Sequence, residues 1–337
     1  MANTQSNADP TVLVVGGAGY VGSHTALALA EAGFRPVVYD NLSNGRREFV
    51  RWGPLEVGDI HDAERLHAAL IRHRPSAIVH FAGLIEVAES VRDPFAFYRN
   101  NVTGALAVLE AAREAGVDAF VFSSTCAVYG DPRYLPMDED HPIAPASPYG
   151  RSKAMVEAIL DDAAQAYGLR SVRLRYFNAA GADPRGRIGE WHEPESHAVP
   201  LAIGAAMGER PAFKVFGDDY ETRDGTCERD YVHVLDLADA HVRAVRHLLD
   251  GGEGATLNLG TGAGTTVREL LEAIGREVGS PVPHERAAKR PGDVPALVAH
   301  NARARELLGW IPSRGLDDIV RDAVAWHRLH LPVEHVA

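Results

Sequence analysis

A doubly wound α/β fold, with a mostly parallel sheet at its centre, is predicted from three features of the sequence. β-Branched apolar runs alternate with alanine-rich helical stretches, glycines follow the first such run, and a Gly-, Pro- and charge-rich segment begins only after residue 178. Alternation at this spacing reads as βαβ units, and right-handed crossovers then place the ligand crevice beyond the strands' carboxyl ends.

The elements follow in order. Residues 11–15 (TVLVV) form a first strand, residues 22–32 a helix, and residues 37–39 a second strand after a turn at Gly33. A helix over 63–72 leads to a third apolar run at 78–81, and a helix over 105–115 leads to a strand at 119–122. Residues 178–200 read as a long functional loop leaving the sheet. Segments 229–245 and 257–260 again look like sheet-and-helix pieces, so the second half is expected to cross back. The division expected is one domain over 11–178, rejoined by 229–260, and a smaller mixed α/β domain from 179–228 and 261–330. Residues 1–10 read as a frayed, disordered tail without the apolar run of a signal peptide.

The 337 residues are 46% apolar and 24% charged, enough for a sizeable core without disulfides or metals. A net charge of -12 with no basic patch excludes a nucleic-acid partner. No apolar stretch reaches the roughly 20 residues a membrane span needs, so no membrane association is expected. Cys126 and Cys227 lack metal-ligand spacing and suit a reducing compartment, and the expected location is cytoplasmic.

Gly16, Gly19 and Gly22 follow the first strand and open the first helix. Missing side chains there allow a tight turn, approach of backbone N–H groups to a pyrophosphate, and close helix–strand packing, as in a Rossmann-type dinucleotide site. Asp40 ends the second strand 18 residues after Gly22, where a carboxylate accepts hydrogen bonds from the adenosine ribose and repels a 2′-phosphate. NAD is therefore expected as the cofactor, with the neighbouring Arg46 and Arg47 leaving NADP open.

Tyr149 and Lys153 in SPYGRSK are one helical turn apart if Pro148 sits at a helix start. An ammonium near a phenol stabilises the phenolate and lowers its pKa from about 10 toward neutrality. The same spacing also describes an ordinary surface pair; the hydroxyls of Ser123, Ser124 and Thr125, expected just after the strand at 119–122, favour a proton-transfer site.

These motifs are joined by others in order: GGAGYVGSH (16–24), YDNLSNG (39–45), HFAG (80–83), ESV (89–91), NNV (100–102), VYG (128–130), RYFNAAGADP (175–184), FGDDY (216–220) and RDYVHVLDLADAHV (229–242). Over nearly all of residues 11–327 the chain resembles the extended short-chain dehydrogenases/reductases, and among them most closely the UDP-glucose (UDP-galactose) 4-epimerase family. That resemblance implies reversible, NAD-dependent 4-epimerisation of UDP-galactose and UDP-glucose through a transient 4-keto sugar. It implies Thr125, Tyr149 and Lys153 as the catalytic set. Around the cofactor it implies Tyr20, Val21, Asn41, Asn44, Gly45, Asp59, Ile60, Phe81, Ala82, Gly83, Asn100, Ser123 and Phe177, beside the residues already named. For the UDP-sugar it implies Asn178, His197, Ala198, Lys214, Phe216, Arg229, Arg290, Asp293 and Leu297, with Thr125 and Tyr149. Arg229 and Arg290 would grip the diphosphate, Phe216 would stack on uracil, and Asp293 would meet the uridine ribose. Ile85 departs from the lysine that some members carry, and His197-Ala198 from the Asn-Leu pair of others. Leu297 stands where members vary in size and leaves the acceptance of N-acetylated sugars, like that of other UDP-sugars, open. Cys126-Ala127 lack the acidic pair of the related 4,6-dehydratases. A non-catalytic NAD-sensing protein would be expected to have lost Tyr149 or Lys153, and both are present.

The 16 histidines show no ligand spacing, and no metal is expected. His24, His80 and His233 read as packed or hydrogen-bonded residues, and Cys126 as a small buried residue. The alanine-rich helices over 105–115 and 154–166 pack on something apolar; in this superfamily such helices form the four-helix interface of a homodimer, and core packing within one chain gives the same pattern.

Overall fold

The computed structural model describes residues 9–290 and 293–330; most of the expected N-terminal tail and Pro291-Gly292 lie outside the described residues. The strands are β1 (Thr11–Val15), β2 (Arg35–Asp40), β3 (Leu55–Val57), β4 (Ala77–His80), β5 (Ala119–Thr125), β6 (Arg170–Tyr176), β7 (Asn178–Ala180), β8 (Phe213–Phe216), β9 (Glu228–Arg229), β10 (Tyr231–His233), β11 (Ala255–Leu259), β12 (Thr265–Thr266), β13 (His284–Ala287) and β14 (Ala296–Leu297). The helices are α1 (Tyr20–Glu31), α2 (Ala63–His73), α3 (Val87–Arg92), α4 (Pro94–Phe97), α5 (Gly104–Glu114), α6 (Pro148–Tyr167), α7 (Ala198–Ala206), α8 (Val234–Leu249), α9 (Val267–Val278), α10 (Ala302–Leu308) and α11 (Leu316–His330).

Seven parallel strands in the order β11-β6-β5-β4-β1-β2-β3 make the central sheet. The doubly wound expectation is met. In β1 every residue is buried, because helices cover both faces of the sheet. Val12 and Val14 point into one core layer with Leu29 of α1 and Leu237 and Val245 of α8. Leu13 and Val15 point into the other, with Leu66 of α2, Val108 of α5 and Val156 of α6. The strict alternation is the two-residue period of a strand read against two apolar layers. A third core joins α7, α9 and α11 around Ile203, Leu270 and Val320.

Two details depart from the sequence reading. Strand β5 runs on to Thr125, so Ser123, Ser124 and Thr125 lie within the strand rather than after it. The long loop is also shorter than 178–200. Its first three residues pair with β10, and Pro200 falls in the first turn of α7, where no intrahelical N–H is needed. By contrast, α6 starts as expected, with Ser147 accepting from the Gly150 amide at 3.1 Å and Pro148 at its first position.

His24, His80 and His241 are almost completely buried, and each has one ring nitrogen without a hydrogen-bond partner among the described residues. Burial lowers their pKa values to about 4, about 3 and about 4 from 6.5. The unfolded chain therefore takes up protons below pH 6.5 that the folded one refuses until about 4, and stability falls with pH across that window. Each ring is expected to withdraw up to about 2 kcal/mol on going from pH 7 to 5. Urea unfolding at the two pH values checks this; equal midpoints would contradict it. His233, also buried, bonds Asp322 at 3.2 Å, in keeping with its structural reading.

Candidate active site

Strands β1 and β4 are neighbours, but the chain leaves them toward opposite sides of the sheet, which opens a crevice at their carboxyl ends. A cleft of about 510 Å³ occupies it. The glycines explain its floor. Gly16 has φ +78, and a Cβ there would lie 2.5 Å from the Ala82 amide nitrogen. A Cβ on Gly22 would lie 2.3 Å from the Gly16 carbonyl, so α1 could not pack so close to β1. At Gly19 the nearest atom is 3.4 Å away. Helix α1 follows with no side-chain cap and no acidic residue in its first turn. Bare amides and the positive end of a helix dipole facing an open crevice suit a pyrophosphate, and these residues fit a dinucleotide.

Asp40 ends β2, beside this turn. Its carboxylate accepts from the Ala18 and Leu42 amides at 2.9 and 2.8 Å, and burial raises its pKa against those two bonds. Asn41, Asn44, Gly45 and Ile60 line the cleft with it, as do Tyr20, Val21, Phe81, Ala82, Gly83, Asn100 and Phe177. Asp59 is not on the lining; it accepts from the Asn41 amide group at 2.8 Å and so acts on the neighbouring side chain. Arg46 does not face the crevice as a phosphate ligand: its guanidinium lies 4.0 Å over Trp191 and 3.1 Å from Glu193.

Ser123, Thr125, Tyr149 and Lys153 line the same cleft. Burial raises the Tyr149 phenol well above its ordinary value, Tyr176 adds to this, and the Thr125 hydroxyl opposes it. The net shift is thus upward, where a lowering was expected. The Lys153 ammonium donates to the Ser123 carbonyl at 2.9 Å and lies 4.9 Å from the centre of the Phe122 ring. Burial pulls that ammonium down to about 8, against Glu157. Cys126 also lines the cleft, but burial pushes its thiol up to about 12, consistent with an inert residue.

Among the expected substrate residues, Asn178, His197, Ala198, Arg229 and Leu297 line the cleft, whereas Lys214, Phe216, Arg290 and Asp293 do not. Three of the latter are nonetheless linked to it. Arg290 stacks 4.5 Å over Phe216 and bonds Asp293 at 2.8 Å, and Asp293 lies 3.9 Å from Arg229. They form a continuous rim. Lys214 stands apart, 60% exposed and 4.0 Å from Glu285.

Other lining residues were missed. Tyr176 ends β6 and hydrogen-bonds the Ser123 hydroxyl, a partnership that strand pairing alone brings about. Glu86, Tyr231, Glu190 and His192 also line the cleft. His192 and His197, which lack ligand spacing along the chain, meet Glu190 and Glu195 in the loop after β7.

The sequence model of the NAD dependent epimerase/dehydratase family matches residues 12–260. A UDP-glucose 4-epimerase of Rhizobium leguminosarum bv. trifolii is 63% identical over 320 residues, 95% of this chain and 98% of that protein. The crystal structure of UDP-glucose 4-epimerase from Brucella ovis in complex with NAD superposes with a TM-score of 0.92 at 51% identity, covering 94% of this chain and 98% of that one. The structure of the Bifidobacterium longum UDP-glucose 4-epimerase in complex with NAD+ and UDP gives 0.91 at 35% identity, covering 95% and 98%.

Proposed function

Since the chain belongs to the NAD dependent epimerase/dehydratase family, we propose that it catalyses the reversible 4-epimerisation of UDP-galactose and UDP-glucose with NAD as its cofactor. The observation that carries this reading is a single cleft that runs from the glycine turn and Asp40 to Thr125, Tyr149 and Lys153. When bound, NAD supplies the acceptor and then the donor of the two electrons exchanged with the sugar's C4.

The chain's residues do the rest. Gly16, Gly19 and the amides of Tyr20 and Val21 hold the pyrophosphate, and Asp40 holds the adenosine ribose. Tyr149 takes the proton from the sugar 4-hydroxyl, directly or through Thr125, and returns it after the carbonyl has turned its other face. Its high pKa in the chain alone means that the phenolate must be held by positive charge, and Lys153 supplies part of it from one helical turn away. Arg229 and Arg290 hold the diphosphate while the sugar turns, with Phe216 under uracil and Asp293 at the uridine ribose. The catalytic and cofactor residues, with Arg229, belong to a unit over 11–178 and 229–260, and Phe216, Arg290 and Asp293 to a smaller unit over 179–228 and 261–330.

The protein is proposed to act as a cytoplasmic homodimer. Supporting the dimer, Leu106 of α5 and Met155 of α6 are 40% and 46% exposed on the outer face of these helices. Among the described residues no helix is long and apolar enough to cross a membrane.

Incubating the purified chain with UDP-galactose, and separately with UDP-N-acetylgalactosamine, tests the function. The 4-epimer of the first should form, and retained NAD(H) should be visible in the absorbance of the same sample. Failure to convert UDP-galactose in a cofactor-replete sample would sink the assignment. The second arm reads what Leu297 admits.

A further inference from the structure

Residues 190–197 carry a group of side chains that the epimerisation does not use as a set. Glu190, His192, Glu195 and His197 each present one ligand-type atom, and all four atoms lie within 4.8 Å of one another. Both imidazoles face the carboxylates through Nδ1. His197 hydrogen-bonds Glu190 and lies 3.9 Å from Glu195, while His192 lies 3.5 Å from Glu190 and 3.9 Å from Glu195.

Two properties distinguish this group from surface charge. The Glu190 and Glu195 side chains are only 4% and 5% exposed, and among the described residues neither pairs with a lysine or arginine. Two carboxylates removed from water side by side repel each other and need compensation. Secondly, His192 Nδ1 is buried without a hydrogen-bond partner among the described residues, although it points at both carboxylates. A divalent cation at the centre would answer both, balancing two negative charges and taking the lone pair of the unpartnered nitrogen.

We propose that these four residues form a binding site for a zinc-class divalent cation. Imidazole nitrogen and carboxylate oxygen are both zinc donors, and two of each can fill the four positions zinc prefers; magnesium and calcium prefer oxygen alone. The surroundings hold the ligands in place. Trp326 donates to the Glu190 carbonyl at 3.0 Å, and Glu195 Oε1 already accepts from the Ser196 and His197 amides at 2.8 Å each. The ion acts as a clasp. It fixes the loop that lines the cleft through Glu190, His192 and His197, and takes no part in the electron or proton exchange.

The test uses the full chain, stripped with a chelator and titrated with Co2+ as the probe. One equivalent should bind with the visible d–d bands of a four-coordinate site, Zn2+ should displace it, and bound Zn2+ should raise the unfolding temperature. His192→Ala and Glu195→Gln should each weaken Co2+ binding by about 100-fold or more, since each removes one of four ligands. Absence of the bands, or bands unchanged in both variants, overturns the site. Should the variants fail to fold, X-ray absorption of the zinc-loaded wild-type chain decides: two imidazole nitrogens around zinc support the site, and none refutes it.

Discussion

Tyr149→Phe is expected to lower the rate of 4-epimer formation by about 10³-fold while leaving the cofactor bound, because general acid–base groups contribute roughly 10²–10⁴. The phenol lines the cleft with Thr125 and Lys153 and belongs to a different element from the glycine turn and Asp40. Removing its oxygen should therefore delete the proposed proton carrier and leave the proposed dinucleotide cradle in place. The replacement is nearly isosteric, and the ring contact with Phe97, at 6.5 Å between centroids, survives. Turnover of UDP-galactose and the NAD(H) content of the same preparation are the paired readouts. A variant that keeps turnover within a few-fold of wild type would refute the proton-transfer role.

Arg175→Met should be the most damaging single change to stability. Arg175 and Glu157 are paired behind β5 with side chains 7% exposed each, at 2.5 and 2.9 Å. Glu157 also accepts from Ser124, and Arg175 donates to Tyr129, which in turn donates to Asn258. The substitution would strand a carboxylate in an apolar layer, and breaking such a pair costs about 3–5 kcal/mol. Replacing both partners by apolar residues of similar size should restore much of the loss, since no buried charge then remains. Denaturant unfolding of the single and double variants measures this. A single variant within about 1 kcal/mol of wild type would show that Glu157 finds water or protonates instead.

How legible the molecule was depended on how locally each feature is encoded. The sheet was readable because β1 is β-branched or apolar throughout and a glycine turn follows it directly; both signals lie within a dozen residues. The pairing of Tyr149 and Lys153 on one helix was likewise local. The extent of β5 was not, because Ser123, Ser124 and Thr125 look like loop residues, and only pairing with β6 on one side makes them strand. The acceptor of the Lys153 ammonium was hidden for a related reason. Helical spacing puts it near Tyr149, but the Ser123 carbonyl on the neighbouring strand is the acceptor its ammonium finds. The rim of Phe216, Arg229, Arg290 and Asp293 is gathered by parallel pairing of β8 with β13 and of β9 with β14, across sequence gaps that no local pattern bridges. Only the family resemblance pointed to those residues. The spacing of Glu190, His192, Glu195 and His197 carries no helical or strand period, so their meeting becomes visible only in the folded loop.

The edge strand β11 and helix α8 arrive late in the chain, yet one completes the sheet beside β6 and the other covers α1. A fragment ending near residue 178 would thus carry a raw strand border and an uncovered oily flank, both invitations to self-association. During synthesis, residues 179–254 must leave the ribosome before β11 can close the sheet beside β6. A cut after residue 178 is therefore expected to yield no self-sufficient piece.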